Sequence, residues 1–325
     1  MSKVVLVVGG AGYIGSHCAR LLSERGVEVV VLDDLSAGHR EAVSGPLIVA
    51  DIRDRAAMRD ALQSRPFDAV VHFAARALVS ESTANPALYF DVNVGGTATL
   101  IAAMIEAGVD TLLFSSSCSI YGAPQYVPVD EAHPKAPMSP YGLSKWMVEQ
   151  MLDEVRLRHG LRISSLRYFN AAGAHPSGEL GESHAVETHL IPLAFDAALG
   201  RRPPLQVYGR DYDTPDGTCI RDYVHVMDLA EAHLSALEAM WRGHPGSAWN
   251  LGTGRGSSVL QVLDAVARVS GLTVPREDAA RREGDPPKVW ASAAAIRREL
   301  GWTPKHTELE EIIASAWRWT RAPRY

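Results

Sequence analysis

Cysteine is scarce in this chain. Cys18, Cys118 and Cys219 stand far apart among 325 residues, too few and too dispersed for a disulfide framework. They point to a reducing compartment. Basic runs are also missing: 32 Lys and Arg against 38 Asp and Glu give a net charge of −6, with no block of one sign. Neither nucleic acid nor an anionic membrane surface is therefore expected as a partner. No apolar stretch approaches the length needed to span a bilayer, and the apolar N-terminal segment runs into a glycine turn without a cleavage site. The 12 histidines include no His-Glu-x-x-His and no pairing with cysteine at metal spacing. His184 and His189 lie close together, yet no metal is expected there. Repeats, low-complexity tracts and flexible linkers are absent as well. What remains is a cytoplasmic, soluble protein whose length and 46% hydrophobic content allow a large core in two lobes.

The first thirty-odd residues carry the clearest local pattern. Val4 to Val8 is a short apolar run, as in a strand buried on both faces. It leads into Gly9-Gly10-Ala11-Gly12-Tyr13-Ile14-Gly15, a helical stretch from Ser16 to Arg25, and a second Val-rich run from Val27 to Leu32 that ends at Asp33. Glycines at 9, 12 and 15 permit a tight turn, close approach to a pyrophosphate, and close packing of helix on strand. The helix N-terminus offers unpaired N–H groups to the phosphates. Asp33 falls near the spacing at which a carboxylate receives the adenosine ribose hydroxyls. Asp34 follows it, and no Arg comes before Arg40 to receive a 2′-phosphate, so NAD is favoured over NADP.

Strand and helix patterns then alternate, which predicts an α/β fold: a Rossmann-type, doubly wound parallel sheet with a smaller C-terminal substrate-binding lobe. Further strands are expected at Leu47 to Ala50, Ala69 to Phe73, Thr111 to Phe114 and Ile163 to Tyr168. Helices are expected at Arg55 to Gln63, Pro86 to Ala107 and Tyr141 to His159. In such a sheet the ligand lies beyond the carboxyl ends of the strands. Gly9 to Gly15, Asp33, Asp51-Ile52, Phe73 to Ala77, Ser115 to Ser117 and Asn170 all fall there. From Ala171 the texture becomes richer in Pro, Gly and His. The division expected is 1–170 for the nucleotide-binding domain, with a return of the chain near 222–252, and 171–325 for the smaller lobe.

Chemistry is suggested by Ser139-Pro140-Tyr141-Gly142-Leu143-Ser144-Lys145. Ser139 can cap a helix and Pro140 fits its first position. Tyr141 and Lys145 then share one face at i and i+4. A nearby ammonium, or a bound cation such as oxidised nicotinamide, lowers a phenol's pKa and makes it a usable base toward an alcohol.

Several motifs together carry a family resemblance. Gly9 to Gly15, His72-Phe73-Ala74-Ala75, Ser115-Ser116-Ser117 leading to Tyr121-Gly122, and Tyr141 to Lys145 resemble the extended short-chain dehydrogenase/reductase superfamily. Arg167-Tyr168-Phe169-Asn170, Gly173-Ala174-His175-Pro176, Thr188-His189-Leu190-Ile191-Pro192 and Gly217 to Val226 are similar, more narrowly, to the UDP-glucose 4-epimerase family. The resemblance runs from Val4 to about Trp302. It implies an isomerase that interconverts the glucose and galactose forms of a UDP-sugar through a transient 4-keto sugar, with NAD held throughout. Tyr141 would be the base, Lys145 would hold the nicotinamide ribose and stabilise the phenolate, and Ser117 would bond near the sugar's 4-oxygen. Tyr13, Ile14, Asp33, Asp51, Ile52, Phe73 and Phe169 would line the NAD site, with the glycines, Asp34, Ala74 and Ala75 beside them. Asn170, His189, Leu190, Gln206, Tyr208, Arg221, Arg282 and Asp285 would hold the UDP-sugar, the arginines suiting a diphosphate. A helical homodimer is implied as well.

Two departures from the family pattern stand out. The loop after His-Phe-Ala carries Arg76-Ala77 where members often have Lys, which leaves the role of Arg76 open. Val289 stands before Trp290 where members restricted to UDP-glucose and UDP-galactose have Tyr, so N-acetylhexosamine nucleotides are expected as further substrates. Among rivals, a 4,6-dehydratase would need Asp-Glu after Ser117, where Cys118-Ser119 stands. A UDP-uronic-acid 4-epimerase or a related nucleotide-sugar enzyme is the alternative. A non-catalytic NAD-binding regulator would have no use for Ser117, Tyr141 and Lys145 together.

Overall fold

The computed structural model describes residues 2–282 and 284–325. It divides into two compact units: Met1–Gly122, Pro134–Arg167 and Ala230–Trp249 form one, and Ala123–His133, Tyr168–Leu229 and Asn250–Tyr325 the other.

The first unit is built on a seven-stranded sheet. Its strands are β1 (Val4–Val8), β2 (Glu28–Asp33), β3 (Leu47–Val49), β4 (Ala69–His72), β5 (Thr111–Ser117) and β6 (Arg162–Tyr168), with Ala248–Leu251 at the edge next to β6. The order from that edge is Ala248–Leu251, β6, β5, β4, β1, β2, β3. Neighbours β3–β2–β1–β4–β5 all pair in parallel. Strand order reverses between β1 and β4, the topological switch at which a doubly wound sheet opens a crevice. Parallel strands covered on both faces must be apolar throughout, and Val5 to Val8 are accordingly fully buried. Leu6, Val8, Val30, Leu32, Val70, Leu112 and Phe114 pack with Met58, Leu62, Leu100 and Met104 from the covering helices. Burying each such side chain contributes about 1.5–3 kcal/mol before chain entropy is counted.

Three features of this unit depart from the sequence expectations. β5 does not stop at Phe114 but runs on through Ser117, with every residue buried. The helix expected over Pro86 to Ala107 is interrupted by a π-helical segment, Phe90–Gly96, between Pro86–Tyr89 and Thr97–Ala107. Such segments occur often at functional sites. The same run is long and apolar enough to cross a membrane by length and composition, with mean hydropathy 1.4, contrary to the expectation that no stretch would be. Asp91 and Glu106 are its only charged residues, and 44% of its apolar window is buried in the protein.

The second unit has its own core. Helices Leu190–Ala198, Val259–Ser270 and Leu309–Arg321 bring Ile191, Phe195, Val262, Val266, Ile312 and Ile313 together with Leu205 and Val207. Ser258 and Gln261 form a reciprocal capping box at the start of the middle helix. Short strands complete the unit: Leu205–Tyr208 pairs in parallel with Arg276–Ala279, and Asn170–Ala172 with Tyr223–His225. Ile220–Arg221 lies between Ser257–Ser258 and Lys288–Val289.

Candidate active site

In the first unit the predicted cofactor residues gather at the carboxyl ends of β1, β2 and β4. Gly9 has φ +80°, and a Cβ there would lie 2.3 Å from the Ala74 nitrogen. No other residue type fits where the chain leaves β1 beside the chain leaving β4. A Cβ on Gly12, by contrast, would meet protein only at 3.6 Å. The space before that glycine is open to a ligand, and the first turn of the helix Tyr13–Glu24 follows it directly. The cradle thus fits a dinucleotide pyrophosphate.

Asp33 is buried and its carboxylate accepts from the N–H groups of Ala11, at 2.9 Å, and Leu35, at 2.8 Å. Burial raises its pKa, and those two bonds oppose the shift. Asp33 therefore ties the glycine turn to β2 while each oxygen retains a lone pair for a ribose hydroxyl. Asp34 is exposed and accepts from the backbone and hydroxyl of Ser36. Asp51 receives the Arg53 guanidinium, which also bridges to Asp91. Ile52 packs where a Cβ on Gly96 would stand, at 2.5 Å. Phe73 and Ala74 both donate to the Val8 carbonyl, and the Phe73 ring lies 4.8 Å from that of His233.

Tyr141, Lys145 and Ser117 meet beside this cradle. Ser139 caps the helix Pro140–His159 by accepting from Gly142 N–H, a bond worth about 1 kcal/mol. A Cβ on Gly142 would sit 2.5 Å from the Ser119 carbonyl, so only glycine lets this helix approach the chain leaving β5. That approach brings the Tyr141 hydroxyl into hydrogen bond with Ser117. Lys145 is 4% exposed; its Nζ donates to the Ser115 carbonyl at 2.8 Å and lies 5.9 Å from the centre of the Tyr141 ring. Ser115 is thus a buried strand residue gripping the lysine, not the loop cap that a serine run suggests.

Burial acts against the ionised form of both groups. Tyr141 as a residue keeps some exposed surface, but burial of its hydroxyl pushes the phenol up to about 12, with the Ser117 bond opposing the shift. Burial also pulls Lys145 down to about 7, against the attraction of Glu149. Desolvation thus drives both groups toward their neutral forms.

Sequence reasoning missed three supports of this set. Asn93, in the π segment, accepts from Arg76 N–H and donates to the Arg76 carbonyl and to Ser144 Oγ, while Ser144 Oγ donates to the Tyr141 carbonyl. Arg76 itself reaches Glu81 at 3.5 Å, and Glu81 also accepts from Tyr89. Glu149 and Arg167 form a buried ion pair. The i+4 continuation of the 141, 145 stripe was the available signal for Glu149.

In the second unit the predicted substrate residues form separate groups. Arg221 donates to Asp285 at 3.1 Å and to the Pro286 carbonyl at 2.8 Å, and Val289 is its register partner on the neighbouring strand. Asp222, not anticipated, is buried and accepts from Thr253, Gly254 and Ala291, fixing the chain on both sides of that strand. Gln206 and Tyr208 lie exposed on one face of their strand. Gln206 donates to Glu277, and the Arg282 guanidinium lies 4.0 Å above the Tyr208 ring. Arg281 is separated from this pair, bonded to Asp211 over Tyr212. Phe169 is buried and Asn170 opens its strand by donating to the Asp222 carbonyl.

His189 stands just before the helix beginning at Leu190 without a side-chain capping bond, and its Nδ1 faces Glu182 and Glu187. Burial opposes the charge, but the two carboxylates prevail and hold His189 up at about 9. Glu182 and Glu187, not anticipated, thus join the two histidines that lie close together in the sequence, and the four place donor atoms within 4.8 Å of one another.

Residues 5–252 match the NAD dependent epimerase/dehydratase family. The chain is 49% identical over 323 residues to a UDP-glucose 4-epimerase of Azospirillum brasilense, covering 99% of this chain and 93% of that one. The crystal structure of UDP-glucose 4-epimerase from Brucella ovis in complex with NAD superposes with a TM-score of 0.96 at 46% identity, covering 98% of this chain and 99% of that one. The UDP-Glc/GlcNAc 4-epimerase of Campylobacter jejuni superposes at 0.86 with 39% identity, covering 98% and 99%.

Proposed function

The chain belongs to the NAD dependent epimerase/dehydratase family, and from that premise we infer that it interconverts UDP-glucose and UDP-galactose by inverting C4, with NAD as its resident cofactor. The observation that carries the catalytic assignment is the convergence of Ser117 and Lys145 on Tyr141 beside the open glycine cradle. The helix start at Tyr13 and Ile14, with Asp33 and the Phe73–Ala75 turn, would hold the dinucleotide. When bound, NAD supplies a reversible two-electron acceptor for C4, so the reaction involves no net redox change. Tyr141 takes the proton of the 4-hydroxyl and returns it after the sugar has turned over; Ser117 orients that proton, and Lys145 offsets the charge on the phenolate. Arg221 and Arg282 are suited to the diphosphate, and Tyr208 to the uracil ring.

Val289, smaller than the Tyr of members restricted to UDP-glucose and UDP-galactose, supports turnover of N-acetylhexosamine nucleotides as well. Exposed Leu143 and Met147, at i and i+4 on one helix, support a homodimer. Three unbridged thiols support a cytoplasmic location. Purified protein should release NAD on denaturation and convert UDP-galactose to UDP-glucose in a coupled assay. Turnover of UDP-galacturonate without UDP-galactose would hand the assignment to the uronic-acid alternative. Lack of UDP-GlcNAc turnover, with UDP-glucose activity intact, would restrict the substrate range.

A further inference from the structure

The end of β5 is held by a charge pair that no step above uses. Glu149 and Arg167 are each 5% exposed at the side chain. Arg167 Nε donates to Glu149 Oε1 at 3.0 Å, and its Nη1 donates to the Tyr121 hydroxyl at 2.9 Å. The Ser116 hydroxyl also donates to Glu149 Oε1. Ser116 lies between the serine whose carbonyl holds Lys145 and the serine whose hydroxyl meets Tyr141. Glu149 is one helical turn beyond Lys145, so one helix face presents base, ammonium and carboxylate in sequence.

We propose that Glu149 is a positioning residue: with Arg167 and Ser116 it pins the end of β5, so that Ser115 and Ser117 meet Lys145 and Tyr141 in register, and it supplies the counter-charge for the buried ammonium. A hydroxyl-bearing strand end buried on all sides stays in place only if its polar groups have partners, and Glu149 is that partner for Ser116. The titratable groups around Lys145 are Tyr141 and Glu149 on its own helix and His72 on β4, which burial keeps neutral. Around Glu149 they are Arg167 on β6 and Tyr121. Without Glu149, burial acts on the ammonium unopposed, and Lys145 sheds its proton at lower pH.

The proposal rests on the reading of Tyr141, Ser117 and Lys145 as the proton-transfer set. It is tested by the pH profile of kcat for UDP-galactose in wild type, Glu149→Asp, Glu149→Gln and the double variant Glu149→Gln/Arg167→Met, which removes both members of the buried ion pair so that neither is left without the other. The alkaline limb should move down by about one unit in the Gln variants, with kcat lowered about tenfold at pH 8 and KM within about twofold. Glu149→Asp, which keeps the charge, should return the limb to its wild-type position. Folded Gln variants with an unmoved limb, or an Asp variant displaced as far as Gln, overturn the counter-charge. Ser116→Ala removes one hydroxyl and tests the pinning even if the Glu149 variants do not fold. It should lower kcat about three- to tenfold at unchanged KM, and wild-type kcat overturns it. Inactive wild-type protein would defeat the epimerase assignment instead, so the two failures are told apart.

Discussion

The two units handle charge in opposite ways. In the first, the groups assigned to chemistry are withdrawn from water: burial raises Tyr141 to about 12 and lowers Lys145 to about 7, and their neighbours are backbone carbonyls and serines. In the second, the groups assigned to recognition keep contact with solvent and carry their own counter-ions, Arg221 with Asp285 and His189 with Glu182 and Glu187. Desolvation makes a proton easy to move and costly to misplace. An ion pair that keeps some contact with solvent can instead exchange one anion for another. On the proposed assignment, transfer chemistry and anion recognition are given different environments, one in each unit.

This contrast can be broken most sharply at Tyr141. Tyr141→Phe should cost about 10²–10⁴-fold in kcat while the purified protein keeps its NAD, measured by coupled assay and by absorbance after denaturation. Unchanged turnover would remove Tyr141 from the reaction. Arg221→Ala should act mainly on binding, raising KM for UDP-galactose by about 10- to 100-fold with kcat little altered. A loss confined to kcat would place Arg221 with the first unit's chemistry. Val289→Tyr should lower UDP-GlcNAc turnover about tenfold relative to UDP-glucose, read as the ratio of kcat/KM values. The smallest effect concerns His189. A histidine raised from 6.5 to about 9 adds stability that is fully present below pH 6.5 and is lost as pH rises through 9. Melting temperatures of wild type and His189→Gln should therefore differ by about a degree or two at pH 6 and coincide at pH 10. A gap that persists at pH 10 would show that the Glu182–Glu187 pocket is not what charges His189.

How much of this was legible depended on how local the cause was. The glycine turn, the capped helix start at Ser139 and the i, i+4 pairing of Tyr141 with Lys145 follow from a few adjacent residues, and the structure places them as expected. The extension of β5 through Ser117 was not legible, because three serines read as loop until Glu149 and Lys145 arrive from another helix to satisfy them. The π segment was hidden for a similar reason: Asn93 turns inward to clamp Arg76 and Ser144, partners far away in the chain. Neither could Arg281 be told from Arg282 until their aromatic partners, Tyr212 and Tyr208, were fixed. The sequence alone determined the fold type, the glycine turn and the placement of Tyr141 and Lys145 on one helix face, since periodicity, glycine geometry and helical spacing act over one or two turns. Only tertiary structure decided the protonation tendencies and the counter-charges, because desolvation and Coulomb attraction depend on which groups are brought together in space.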